Sequence, residues 1–227
     1  MPKFGITWAR IKENIRKYGA LYLVGMIICA VFSNVVFTST APRTPIEQQV
    51  LIYVAGDYPN TENFDPVAAE LLEWGKTVDE TLEEVVFETI QFGNPNTDMY
   101  GPMILAARLS LCEGDAFIAN SHSTEALLGN EVYLPLDDLL AEGWLAEYDF
   151  EPVMHTSVET GETHVAALRL DTVDAIEQLG VMYNDGVVLM IMYNSTNLDT
   201  TLAAVEHMIE NMMEGNYAPA QSSESAY

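Results

Sequence analysis

Hydrophobic residues free of charge fill positions 19–37, GALYLVGMIICAVFSNVVF. At about 1.5 Å of rise per residue, a helix of that length approaches the roughly 30 Å hydrocarbon core of a bilayer. Ser33 and Asn34 soften its far end, and Tyr18 and Tyr22 stand where interfacial aromatics are expected. The pattern predicts one transmembrane helix at 19–37, a basic segment at 1–18 before it and a linker with Pro42 and Pro45 at 38–49.

Beyond the linker, short apolar runs alternate with amphipathic stretches. Val50-Leu-Ile-Tyr-Val-Ala55 is unbroken and β-branched, the pattern of a strand covered on both faces. Asp65-Pro66 opens a helix over 65–74, with Asp65 as cap and Gly75 as stop. A strand at 85–91, a helix at 102–112 closed by Gly114, and a strand at 115–119 follow. Residues 120–123 read as a turn and 124–128 as a brief helix. Extended chain is expected at 133–136, a helical turn at 137–142 ending at Gly143, and a hairpin from 152–158 and 163–170 around Thr160-Gly161-Glu162. Asp171 is expected to cap a helix through 179, 187–193 to form a buried strand and 199–213 a closing amphipathic helix. The Ser-rich end, 216–227, is expected to be disordered. Strands alternating with helices predict one α/β domain at 50–215, a three-layer sandwich around a mostly parallel sheet.

Charge narrows the functional classes. The chain has 227 residues and a formal net charge of −25, yet five of its nine basic residues (Lys3, Arg10, Lys12, Arg16, Lys17) lie before the apolar run. The remainder holds four basic and 33 acidic side chains, a formal charge of −29. Such a surface repels nucleic acid and anionic headgroups. By the positive-inside rule the N-terminus is cytoplasmic and the acidic domain extracellular, anchored to the cell membrane by a single pass. A cleaved signal peptide is the competing reading; its apolar region is usually shorter, about 7–15 residues, and the small-residue site Ser39-Thr40-Ala41 is followed by Pro42. Cys29 and Cys112 lie in separate regions and read as unpaired small hydrophobes rather than a disulfide framework.

Three stretches, in order, resemble the extracytoplasmic solute-binding proteins of ABC importers, their first lobe in particular. They are the opening strand with its long helix, then Gly114-Asp115-Ala-Phe-Ile-Ala119 followed by Tyr133-Leu-Pro-Leu-Asp-Asp-Leu-Leu140, then Leu189-Met-Ile-Met-Tyr-Asn-Ser-Thr-Asn-Leu-Asp199. Glu162-Thr-His-Val-Ala-Ala-Leu168 is similar to the hairpin strand before that family's crossover. The resemblance implies a bacterial, membrane-tethered, non-catalytic relative, accessory to an ABC importer or another membrane protein. Its ligand would be a small polar solute such as a sugar or peptide. Only about 20 residues separate the hairpin from the return strand, too few for a second lobe, so closure of two lobes on a ligand is not open to this chain alone. A structural or interaction domain that has lost ligand binding is the alternative.

In open α/β sheets ligands sit beyond the carboxyl ends of the strands. Those ends supply Gly56, Asp57 and Tyr58, then Asn94 after Phe92-Gly93, then Asn120, Ser121 and His122, and Asn194 with Ser195. Small residues give backbone access, amides and hydroxyls give hydrogen bonds, and Tyr58 gives a stacking surface; the same residues also serve as ordinary turn formers. Other chemistry finds little support. There is no P-loop, no G-x-G-x-x-G and no G-x-S-x-G. His122, His155, His164 and His207 lack paired metal-ligand spacing. A triad of Ser121 or Ser123, His122 and Asp115 would need neighbours in one loop to serve as nucleophile and base. Asp57, Asn60, Glu62, Asn63 and Asp65 read as a solvated loop before a Ca²⁺ site, and Met190, Met192, Met208 and Met212 as core filling before soft-metal ligands. Neither an enzyme nor a cofactor is expected.

Overall fold

The structure, a computed structural model, describes residues 8–40, 44–57, 59, 62–93, 99–111, 113–178 and 186–217. The chain divides into two compact units, Met1–Arg43 and Thr44–Tyr227.

The described residues of the first unit form one helix, α1 (Trp8–Thr40). Its stretch Ile15–Phe37 is long and apolar enough to cross a membrane by length and composition, a test that a signal sequence also meets. The helix overruns the expected 19–37 on both sides because no Gly-Pro or Pro breaker lies between Trp8 and Thr40.

The second unit is α/β. Among the described residues it has six strands, β1 (Gln49–Gly56), β2 (Glu84–Gln91), β3 (Ala116–Ala119), β4 (Pro152–Thr156), β5 (Thr163–Arg169) and β6 (Val188–Ile191). They form one sheet in the order β2-β1-β3-β6-β5-β4. β1 runs parallel to both β2 and β3, in register Gly56 with Gln91 and Ala55 with Ala119. β6 enters antiparallel between β3 and β5, and β4 is antiparallel to β5. The sheet is therefore mixed: parallel through β2-β1-β3 and antiparallel from β6 outward.

Helices cover both faces. On one, α2 (Asp65–Gly75), α5 (Asp137–Glu142), α6 (Asp174–Gln178) and α7 (Leu198–Met213) surround a core with Val50, Ile52, Val54, Leu71, Leu189, Ile191, Val205 and Met208. On the other, α3 (Gly101–Ser110) and α4 (Ser121–Gly129) pack over Tyr53, Ala55, Phe117, Ala119, Leu127, Val188 and Met190. Alternate β1 side chains serve opposite cores, which is why its sequence shows no polar alternation. Met190, Met192, Met208 and Met212 are all buried core residues.

Several boundaries depart from expectation for local physical reasons. Asp65 is not the cap of α2: a 3₁₀ turn, Glu62–Phe64, leads into the helix, and Phe64 at the cap position is already helical. Asp65 instead places its charge in the first turn, where the helix dipole favours an acid. Residues 120–123 are not a turn but the opening of α4, capped by Asn120. The helix expected from Asp171 is the short α6, and residue 179 lies outside the described residues. Asp171 is occupied instead by Arg169 Nε at 2.8 Å and the Gly186 amide at 3.0 Å. The linker's end is folded: a 3₁₀ turn at Ile46–Gln48 precedes β1, and Asn197 Nδ2 donates to the carbonyls of Ile46 and Gln49. At the other end Asn216 and Tyr217 are held rather than loose. Asn216 Nδ2 donates to Asn211 Oδ1, and the Tyr217 hydroxyl donates to Glu70. Residues 218–227 lie outside the described residues.

Candidate functional site

Because β1, β2 and β3 are parallel, their carboxyl ends share one edge. Gly56, Asp57, Phe92, Gly93 and Asn120 meet there. Asn120 ties the edge together. Its Nδ2 donates to Asp57 Oδ2 at 3.2 Å and to the Phe92 carbonyl at 3.3 Å. Its Oδ1 accepts from the Ser123 amide at 2.9 Å and the Ser123 hydroxyl at 2.8 Å. Ser123 Oγ also lies 3.0 Å from the Ala55 carbonyl oxygen. Asn120 is thus the cap of α4 and the bolt across three strand ends, with its amide saturated inside the protein. Gly56 is buried, and its carbonyl accepts from the Phe92 amide at 2.7 Å. Asp57 and His122 are half-buried and Ser121 is exposed. Tyr58 and Asn94 lie outside the described residues.

Asn194 does not belong to this group. β6 runs antiparallel to β3, with Ile191 beside Ala116 and Val188 beside Ala119, so the end of β6 lies at the opposite edge of the sheet. There Ser195 Oγ donates to Asp115 Oδ1 at 2.6 Å, and the Leu51 amide donates to Asp115 Oδ2 at 2.8 Å. Burial raises the Asp115 carboxyl above its ordinary range, more than these two hydrogen bonds lower it. Asn194 lines two cavities at this edge. One, of about 230 Å³, lies between Ile46, Leu51, Leu111 and Gly114; the other, of about 330 Å³, between Leu109, Val132, Glu159 and Tyr193. Asp115 and His122 stand at opposite ends of β3, so a triad joining them does not form.

The same antiparallel insertion brings residues to the carboxyl edge that strand-by-strand reading missed. β5 ends there, because Arg169 pairs with Val188. Arg169 Nε contacts Asp171, and the Glu151 carboxylate lies 3.8 Å away. A Cβ on Gly186 (φ +69°) would stand 3.4 Å from Ser121 Cβ and 3.7 Å from Arg169 Nη2. Arg169, Asp171 and Gly186 therefore adjoin the start of α4. Arg169 is one of only three basic residues after position 43, the others being Lys76 and Arg108. That scarcity was visible in the sequence; the edge it occupies was not. Among the described residues no group of three or more His, Cys, Asp or Glu is placed to hold a metal ion. Asn60 of the acidic loop lies outside them.

Comparison with protein-family models, with curated proteins and with solved structures returns no significant match for this chain.

Proposed function

We propose that the chain is a membrane-tethered, extracytoplasmic, non-catalytic domain built like one lobe of a solute-binding protein. In this reading α1 is the anchor, the N-terminus is cytoplasmic, and the acidic domain acts outside, accessory to an ABC importer or another membrane protein. The observation that carries it is the path of the chain after the hairpin. β6 returns directly between β3 and β5 and closes the sheet, with residues 170–187 as its only connection. A lobe completed in this way presents Asp57, Ser121, His122 and Arg169 on an edge that in a two-lobed protein faces the cleft. A small polar solute, a sugar or a peptide, is the ligand that this edge suits.

Half a cleft binds weakly, because one lobe cannot enclose its ligand. The full-length chain in nanodiscs is therefore screened by thermal unfolding against sugars, short peptides and amino acids. A ligand at 100 times its Kd stabilises by about 2.7 kcal/mol. A midpoint unmoved across the panel sinks the solute-binding reading. Labelling of intact cells with an impermeant amine reagent tests the orientation: Lys76 should react, and its protection would reverse the topology.

The second reading, an interaction domain without a ligand, is favoured by Asn120. Its amide, the best-placed polar group at the edge, is spent on Asp57, Phe92 and Ser123. Crosslinking in intact membranes should then recover one reproducible partner; recovery of none would count against it.

A further inference from the structure

We propose that the outer face of α3 is a docking surface for a basic-flanked amphipathic helix of another protein. The inference stands apart from the solute-binding reading, since it concerns a face of the domain and not the carboxyl edge.

The sequence of α3, Gly-Pro-Met-Ile-Leu-Ala-Ala-Arg-Leu-Ser, contains one charged residue. Its inner side is accounted for: Leu105 is buried against the sheet and Leu109 packs on the same core. Its outer side is equally apolar. Met103 is 68% exposed, Ile104 46% and Leu111, just past the end, 64%; Met99, just before the start, is 79% exposed. Ala107 is exposed on the same side. Spacings of three, four and seven residues place Met103, Ile104, Ala107 and Leu111 on one stripe. A helix that is apolar all round is normally covered on all sides. The long helices on the other face do not carry such a stripe: α7 keeps Val205, Met208, Ile209 and Met212 inside and exposes Met213 at its last position, and α2 keeps Val67 and Leu71 inside. Contiguous exposed apolar area of this kind marks an interface, and Met is enriched in such surfaces.

Charge selects the occupant. The single cation of the helix, Arg108, is held by Glu113 at 2.7 Å and Glu88 at 3.2 Å. Glu125 is exposed on α4, on the same side of the sheet. From residue 44 onward three basic side chains face 33 acidic ones, a formal charge of −30. A second copy would bring the same charge to the contact, and an anionic bilayer would repel it. An apolar strip rimmed by Lys and Arg satisfies both the stripe and its acidic surround. A helix supplies such a strip with ridges that fit the grooves of α3.

The test uses the full-length chain in zwitterionic nanodiscs, with empty nanodiscs as baseline. Three fluorescent synthetic peptides are titrated in: an amphipathic Leu/Lys helix, a scramble of the same composition with no apolar face, and a Leu/Glu helix. The amphipathic Leu/Lys helix should bind at least about tenfold tighter than either control. Met103→Gln with Ile104→Gln leaves the charge unchanged and should bring it within about twofold of the scramble. Amide exchange on the unaltered chain, which does not depend on the variant folding, should show protection over 101–111. Equal binding of the scramble, unchanged binding by the variant, or protection confined elsewhere would overturn the proposal. So would a concentration-dependent dimer in sedimentation that Met103→Gln with Ile104→Gln abolishes.

Discussion

At position 114 there is no room for a methyl group. Gly114 has φ +98°, and a Cβ there would lie 2.6 Å from the Tyr53 ring, which is fully buried and packed on Phe117 at 5.0 Å between centroids. Gly114→Ala therefore combines backbone strain with a clash in the core and should cost about 3 kcal/mol in urea unfolding. Gly129, in α4, has nothing within 4 Å of its Cβ position. Gly129→Ala should leave stability unchanged or raise it by up to about 1 kcal/mol. A comparable loss in both variants would refute the packing argument. Asp115, one residue on, gives a pH signature. Its folded-state carboxyl titrates above the unfolded one because burial disfavours the charge. The ionised form is thus penalised at neutral pH, and the penalty fades as pH falls through the raised folded value. Measured against Asp115→Asn, which keeps an acceptor for the Leu51 amide, the native chain should gain stability on acidification from pH 7 toward 4. A difference between the two that stays flat with pH would show that the charge carries no penalty.

Elements of this domain are joined by a few polar bolts. Asn120 links α4 to the ends of β1, β2 and β3 through Asp57, Ser123 and the Phe92 carbonyl. Asn120→Ala removes the helix cap and leaves the Phe92 carbonyl and buried Ser123 short of partners, a loss of about 2 kcal/mol. Pulsed amide exchange should place the weakening at the start of α4; uniform weakening would argue against a local cap. The opposite face has its own clasp: Trp74 of α2 stacks on His207 of α7 at 4.2 Å, His207 Nε2 lies 2.8 Å from Glu70 Oε1, and Tyr217 closes on the same carboxylate. That clasp is why Asn216 and Tyr217, which fall in the segment expected to be loose, are held.

Across the whole molecule the dominant fact is charge. Three basic side chains against 33 acidic ones from residue 44 onward make compaction self-repulsive. Added salt shortens the Debye length from roughly 30 Å at 0.01 M to 3 Å at 1 M and relieves that repulsion. Raising NaCl over this range should stabilise the domain by on the order of 1 kcal/mol, about 2–4 °C in melting midpoint. A midpoint that falls with salt would mean that attractive pairs, such as Arg108 with Glu88 and Glu113, outweigh the repulsion.

The elements were legible one by one because local patterns specify them. The apolar run at 50–55, the Pro-opened helices, and Gly143 with φ +103° closing α5 all follow from propensity, periodicity and backbone freedom. So did the apolar stretch within α1 and the acidic surface, which depend on composition alone. What no local pattern specifies is the direction in which a strand joins its neighbours. A buried strand reads the same parallel or antiparallel, since both bury both faces. That choice for β6 moved Asn194 to the far edge, brought Arg169 and Gly186 to the near one, and separated Asp115 from His122. Whether a polar strand end is spent inside or left for a ligand was likewise decided only in three dimensions. Besides the local Ser123, the partners of the Asn120 side chain are 28 and 63 residues away, and contacts across such separations are fixed by packing, not by neighbouring sequence.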